Sequence, residues 1–189
     1  IKIKHLIELM IFIKKNNFQD KKTIINGIKT EKLEHYLKKV DWKYLSFGKI
    51  SNFHGDLQFD NIIFNPKNKI FKLIDWRSDF NLNTNYGDLY YDLAKLYAGS
   101  ILSYHEIKKG NFNFEIHNDN IFFDFASNYT LNESKKEIEK FILKENLDLK
   151  KIKLITSLIY LNMSAMHTDP FSHLLYFLGL SRLRDYFNE

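Results

Sequence analysis

Apolar positions recur along the chain with two different spacings, and their order predicts which element comes where. Ile3, Leu6, Ile7, Met10 and Ile13 return every three or four residues, the period of one helix face, so an amphipathic helix is predicted at the start. Thr30 is placed to cap a second helix with Leu33, Tyr36, Leu37 and Val40 on one side. After the irregular stretch SNFHGDLQFD come two short apolar runs, 61–64 and 70–74, separated by the turn-forming NPKNK. They predict a β-hairpin. Residues 87–99 read as helix.

Alternation returns at Phe112, Phe114 and Ile116, then at Ile121, Phe123 and Phe125 beyond Asn118-Asp119, which predicts a second hairpin. From Asn132 onward the spacing is helical, carried by Ile138, Phe141 and Ile142, then by Ile152, Ile155, Leu158, Ile159, Met163 and Met166. Asp169 and Pro170 suit the N-cap and first turn of a last helix. Gly27 and Gly48 stand isolated, and the first 50 or so residues read as helices. The pattern predicts one α+β, mostly helical domain over 1–189 with two small hairpins, and contains no internal repeat or linker.

Composition narrows the functional classes. Hydrophobic residues are 44% of the chain and aromatic ones 16%, enough to fill a core and to argue against wholesale disorder. The net charge of +5 comes from scattered lysines, and arginine occurs only at Arg77, Arg182 and Arg184, so no basic stripe points to nucleic acid. With no cysteine there is no disulfide and no thiolate metal site. The apolar opening holds Lys2, Lys4, His5 and Glu8, and the apolar 154–180 region is broken by Asn162, His167, Asp169 and Pro170. Neither reads as a membrane span, and a cytoplasmic protein is expected. The initial Ile, where a gene product starts with Met, suggests that the chain begins inside a longer one.

The chemistry concentrates in FHGDLQFDNIIFNPKNKIFKLIDW, residues 53–76. Asp56 precedes the first predicted strand, Asn61 stands where the loop enters it, and Asp75 ends its partner. A hairpin sets the start of one strand beside the end of the other, so Asn61 and Asp75 should share one end with Asp56 nearby. Carboxylates and an amide oxygen there suit Mg²⁺, with phosphate oxygens and water completing its shell. Phosphoryl transfer needs such a metal, together with a carboxylate that orients the attacking hydroxyl and takes its proton.

The same residues resemble a known family. HGDLQFDN resembles the catalytic loop of the aminoglycoside phosphotransferase and choline kinase superfamily: His54, Gly55, Asp56, four residues, then Asn61. LIDW resembles its metal-binding motif, and YGDLYYDLAKLYA, residues 86–98, resembles the segment in which an acidic pair, here Asp88 and Asp92, follows. The run LIDWRSDF is more like phosphotransferase-like proteins of bacterial capsule and lipopolysaccharide gene clusters. The resemblance covers 53–98 and implies the C-terminal lobe of a protein-kinase-like fold, using Mg²⁺ and ATP or GTP. Its acceptor would be a hydroxyl of a sugar, an amino alcohol or an aminoglycoside. Asp56 would be the catalytic base and His54 the scaffold of its loop; Asn61 and Asp75 would hold Mg²⁺ and the nucleotide phosphates. Asp92 would anchor its helix to the loop.

Two departures qualify that picture. No strand-borne lysine or nucleotide-covering loop precedes residue 53, so the nucleotide-binding lobe is expected to be missing and the isolated chain to turn over weakly. Arg77 follows IDW where choline kinases tend to be acidic; it would pair with a phosphate or anionic sugar, or with Asp79.

Blander readings stand beside each role. Asp56, Asp60, Asn65 and Asp75 suit turns, Asp88 suits an N-cap as well as it suits substrate, and His54 suits burial. Trp76, Tyr86, Tyr90 and Tyr97 could box a quaternary ammonium, though their spacing favours core packing. Two further classes remain in view: a pseudokinase-like binding module without catalysis, and a metal-dependent phosphohydrolase using His54, Asp56, Asp75 and His105.

Overall fold

The structure is a computed structural model that describes residues 21–78 and 85–189. The helix expected over 3–13 lies outside these residues, as does Asp79. The first half of the chain forms β1 (Thr23–Ile25), β2 (Ile28–Thr30), α1 (Leu33–Lys39), α2 (Trp42–Ser46), β3 (Ile50–Ser51), a 3-10 turn (Phe59–Asn61), β4 (Ile62–Asn65), β5 (Ile70–Leu73) and β6 (Gly87–Asp88). Then come α3 (Leu89–Ile101), α4 (Tyr104–Lys108), β7 (Phe112–His117), β8 (Asn120–Phe125), α5 (Tyr129–Lys144), α6 (Leu149–Ser164) and α7 (Phe171–Asn188). The class is α+β, about half helical with small sheets.

The framework is the pair α6 and α7. Tyr160, Leu161, Leu174, Leu175 and Leu180 along it are almost completely buried. Gly179 lets the two helices approach: a Cβ there would lie 2.7 Å from the Leu161 side chain and 3.0 Å from the Ser157 carbonyl oxygen. On one side, Ile25, Ile121, Leu154 and Phe177 join a core with Tyr36 and Val40 of the α1 region; on another, α3 brings Leu93, Ala94 and Tyr97 against Ile152 and Ile159. Two side chains fasten α3 to α6 by its backbone: Thr156 Oγ1 donates to the Ala94 carbonyl at 3.1 Å and the Tyr160 hydroxyl to that of Ala98 at 2.7 Å. Among the described residues no helix is long and apolar enough to cross a membrane.

Both predicted hairpins form, β4–β5 with Ile62 opposite Leu73 and β7–β8 with Phe112 opposite Phe125. Other expectations are corrected. The stretch read as helical contains a third hairpin, β1–β2, whose turn is Asn26-Gly27 with φ of 46° and 81°. Positive φ at both turn residues matches the twist of a two-residue hairpin, which Asn and Gly adopt most readily. β1 then runs parallel to β8, giving a four-stranded sheet ordered β2-β1-β8-β7. Asn26 lengthens that pairing by exchanging two 3.0 Å side-chain bonds with the backbone of Phe123.

Thr30 is no helix cap; it ends β2, where its hydroxyl accepts from Arg184 at 3.0 Å, and Lys32 holds the N-cap position, its ammonium paired with Glu34 at 2.7 Å. Pro170, not Asp169, precedes the first residue of α7, and the Asp169 carboxylate instead takes the Ser172 hydroxyl. The helix expected from Asn132 starts at Tyr129, capped by Asn128. Met166 lies beyond α6 and is exposed.

Candidate active site

The 53–61 loop is held from three directions, and each tether is a hydrogen bond from a residue that the sequence marks. Asp92, buried in the first turn of α3, accepts from the backbone N–H of His54 at 2.7 Å and of Gly55 at 2.8 Å. Burial pushes the Asp92 carboxyl up from its ordinary range, and the two backbone donors oppose that shift. At the far end of the loop, Asn61 Nδ2 donates to the Asp56 carbonyl at 2.9 Å. His54 Nδ1 accepts from the Asp56 N–H at 3.3 Å, which leaves the ring proton on Nε2. That buried atom has no hydrogen-bond partner among the described residues, and the ring packs on Trp76 with centroids 4.8 Å apart.

The third tether draws in the segment after β5. Ile74 N–H donates to the Asn61 carbonyl at 3.0 Å, continuing the hairpin ladder by one residue, and Arg77 N–H donates to the His54 carbonyl at 2.9 Å. Asp75 lies between these two bonds in a left-handed backbone, φ 57°, a conformation that Asp tolerates better than most side chains. Asp56, Asn61 and Asp75 are thereby gathered at one end of the β4–β5 hairpin. Gly55 makes the gathering possible: its φ is 79°, and a Cβ there would lie 2.6 Å from the Arg77 side chain.

Asp56 is ion-paired. Lys95 Nζ lies 2.7 Å from its Oδ1, which is sealed from solvent, while Oδ2 faces Arg77 at 3.8 Å. Lys95 is itself buried, on α3 one turn beyond Asp92. The sequence reading missed it, although a signal is present: Tyr91, Ala98 and Leu102 form a helical stripe that Lys95 interrupts.

The remaining candidates separate. Asp88 is the N-cap of α3, its Oδ1 accepting from Tyr90 N–H and Lys49 N–H at 3.0 Å each, so the capping alternative describes its contacts. Asn65 holds the β4–β5 turn through Lys67 N–H at 3.0 Å, and Asp60 is exposed. The four aromatic residues make no box. Tyr97 is buried with its hydroxyl on Glu139 at 2.6 Å, Tyr90 lies under Lys151 Nζ at 4.9 Å, and Trp76 donates to the Leu73 carbonyl at 3.1 Å. His105 sits on the exposed side of α4 beside Glu106.

Among the described residues no three His, Cys, Asp or Glu side chains converge on a metal position, so the four-residue hydrolase cluster does not form. Magnesium carried by a nucleotide is less demanding, because one or two protein oxygens suffice when phosphates supply others. Asn61 and Asp75 fit that need: the Asn61 amide nitrogen is committed to the loop, leaving its Oδ1 for a cation, and the Asp75 side chain is exposed at the hairpin end.

Compared with family models, with curated proteins and with solved structures, the chain matches none.

Proposed function

We propose that this chain is the catalytic, C-terminal lobe of a protein-kinase-like phosphotransferase that moves the γ-phosphoryl group of ATP or GTP to a hydroxyl of a small molecule. The observation that carries the reading is the pair of backbone bonds from Ile74 and Arg77 to Asn61 and His54, which sets Asp75 beside the loop that bears Asp56.

In this reading Asp56 Oδ2 accepts the proton of the acceptor hydroxyl as its oxygen bonds to the γ-phosphorus. The bond from that phosphorus to the bridging oxygen breaks, and its electron pair leaves with the nucleoside diphosphate. Lys95 fixes the carboxylate through Oδ1 so that the other oxygen is the one presented. Asn61 Oδ1 and Asp75 would hold Mg²⁺, which offsets charge on the phosphates when bound.

The test is nucleoside diphosphate release from Mg-ATP by the full-length gene product across sugars, choline, ethanolamine and aminoglycosides. Asp56→Asn is expected to lose at least about a hundredfold in kcat with its melting temperature kept, the scale of a general base. Asp75→Asn is expected to weaken Mg-nucleotide binding. Full activity in both variants would refute the reading.

A binding module without catalysis is the alternative, and one feature favours it: Ile63, Phe64, Ile70 and Phe71 are exposed on the hairpin next to the site. It predicts no Mg-ATP binding and no effect of either substitution on partner capture.

A further inference from the structure

A cavity of about 150 Å³ opens beside the ion pair, between the 58–60 part of the loop, α3, α4 and the start of α7. Its apolar side is made by Tyr104, Met163 and Phe171, and its polar side chains include Gln58, Asp60, Lys95, Ser103 and His105. Lys95 is the deep one. Its side chain is almost buried, belongs to the lining and pairs its charge with Asp56 Oδ1 at 2.7 Å. A buried ammonium with donors left over costs free energy unless another acceptor reaches it. His167 packs on Phe171 at this end, and burial together with the Lys95 charge pushes its pKa down, so the wall nearest Lys95 disfavours a further cation.

Three properties of the cavity select among hydroxyl compounds. Its volume is well below the roughly 300–1,000 Å³ of sites for drug-sized ligands, which leaves room for one small ring and not for a multi-ring aminoglycoside. Its aromatic side suits the apolar face of a ring. Lys95 joins the lining to Asp56, pairing with its Oδ1 at 2.7 Å, so a ring with oxygens on adjacent carbons could accept from Nζ with one and present the other to Oδ2.

Resting on the phosphotransferase reading, we propose that this cavity binds the acceptor and that the acceptor is a single-ring polyol. One hydroxyl meets Asp56 Oδ2 and is phosphorylated; the oxygen on the adjacent carbon accepts from Lys95 Nζ. Choline and ethanolamine carry a cation where that oxygen would be.

The experiment uses the full-length gene product with Mg-ATP, and Asp56→Asn as the blank. Glucose, galactose and mannose are compared with choline, ethanolamine and kanamycin, and the best hexose is followed through its monodeoxy derivatives. A hexose is expected to be the preferred acceptor. Loss of the hydroxyl next to the phosphorylated one is expected to lower kcat/KM at least about tenfold in the natural protein, since that bond has a charged donor. In Lys95→Met the same deletion should change kcat/KM by no more than about twofold, because the two losses are then one loss. Lys95→Arg should restore part of the discrimination, and melting temperatures identify any variant that fails to fold.

Asp56-dependent turnover of an amine in preference to every hexose would overturn the polyol assignment while leaving the phosphotransferase standing. Equal sensitivity to the missing hydroxyl in natural protein and Lys95→Met would remove Lys95 from acceptor binding. No Asp56-dependent release with any compound would overturn both readings.

Discussion

A methyl group at position 55 would meet two obstacles at once, a left-handed backbone and the Arg77 side chain 2.6 Å away. Arg77 could swing its outer atoms aside, but Cβ, also 2.6 Å away, is set by the backbone that the bond from Arg77 N–H to His54 holds. Gly55→Ala is therefore expected to cost about 1–3 kcal/mol in urea unfolding. Under the proposed function it should also reduce turnover more than stability alone accounts for, because the strain is relieved by separating Asp75 from Asp56. An alanine variant as stable as the natural protein would show that the 75–77 segment is free to move. Asp75 and Gly55 are the two left-handed residues of this site, and both lie where the loop and the hairpin end touch.

At the level of elements, the hairpins that the sequence revealed are those with strands of four to six residues, long enough for alternation or a continuous apolar run to register. β1 and β2 have three residues each, and Ile24, Ile25 and Ile28 also fit a helix face; only Asn26-Gly27 betrays the turn. The site was legible to the same degree. Asp56, Asn61 and Asp75 are marked by spacing around a hairpin, and Asp92 only by the resemblance of residues 86–98 to a family segment with an acidic pair. Lys95 reaches Asp56 from 39 positions away in the chain, a contact that helix placement alone creates. The two caps failed differently: Thr30 found a tertiary partner in Arg184, while Asp169 takes a side-chain hydroxyl, Ser172, in the first turn of its own helix instead of a backbone N–H.

The 165–170 connection between α6 and α7 gives the fold a pH dependence. His167 and His173 are both pushed below the ordinary 6.5 by burial; the Lys95 charge adds to this at His167, while Asp169 opposes it at His173. The unfolded chain therefore binds more protons than the native one as pH falls through 6.5. Stability should be complete above that value and decline toward pH 5, and His167→Gln with His173→Gln should flatten the slope. A melting temperature unchanged between pH 7.5 and pH 5 in the natural protein would contradict this.

For the whole molecule, the order of attachment matters more than the number of contacts. The 53–61 loop hangs on α3 through Asp92, α3 is fastened to α6 through Thr156 and Tyr160, and α6 packs along α7. Four successive layers thus connect the candidate base to the most buried side chains of the chain. The β4–β5 hairpin contributes no buried apolar residue to that core, and Ile63, Phe64, Ile70 and Phe71 stay exposed.

This arrangement has a consequence for solvent hydrogen exchange. Loop amides ordinarily exchange through small local openings, far faster than helix interiors. The His54 and Gly55 amides end on a buried carboxylate of α3, so they can open only when that helix leaves its place. Their deuterium uptake should accordingly follow the slow rate of the α3 and α6 amides, while β4 and β5 exchange earlier. Asp92→Asn, which leaves one oxygen for two donors, should move these two amides into the fast class without changing α6. In the natural protein, then, the loop proposed to meet an acceptor would be among the last parts of the surface to let water in.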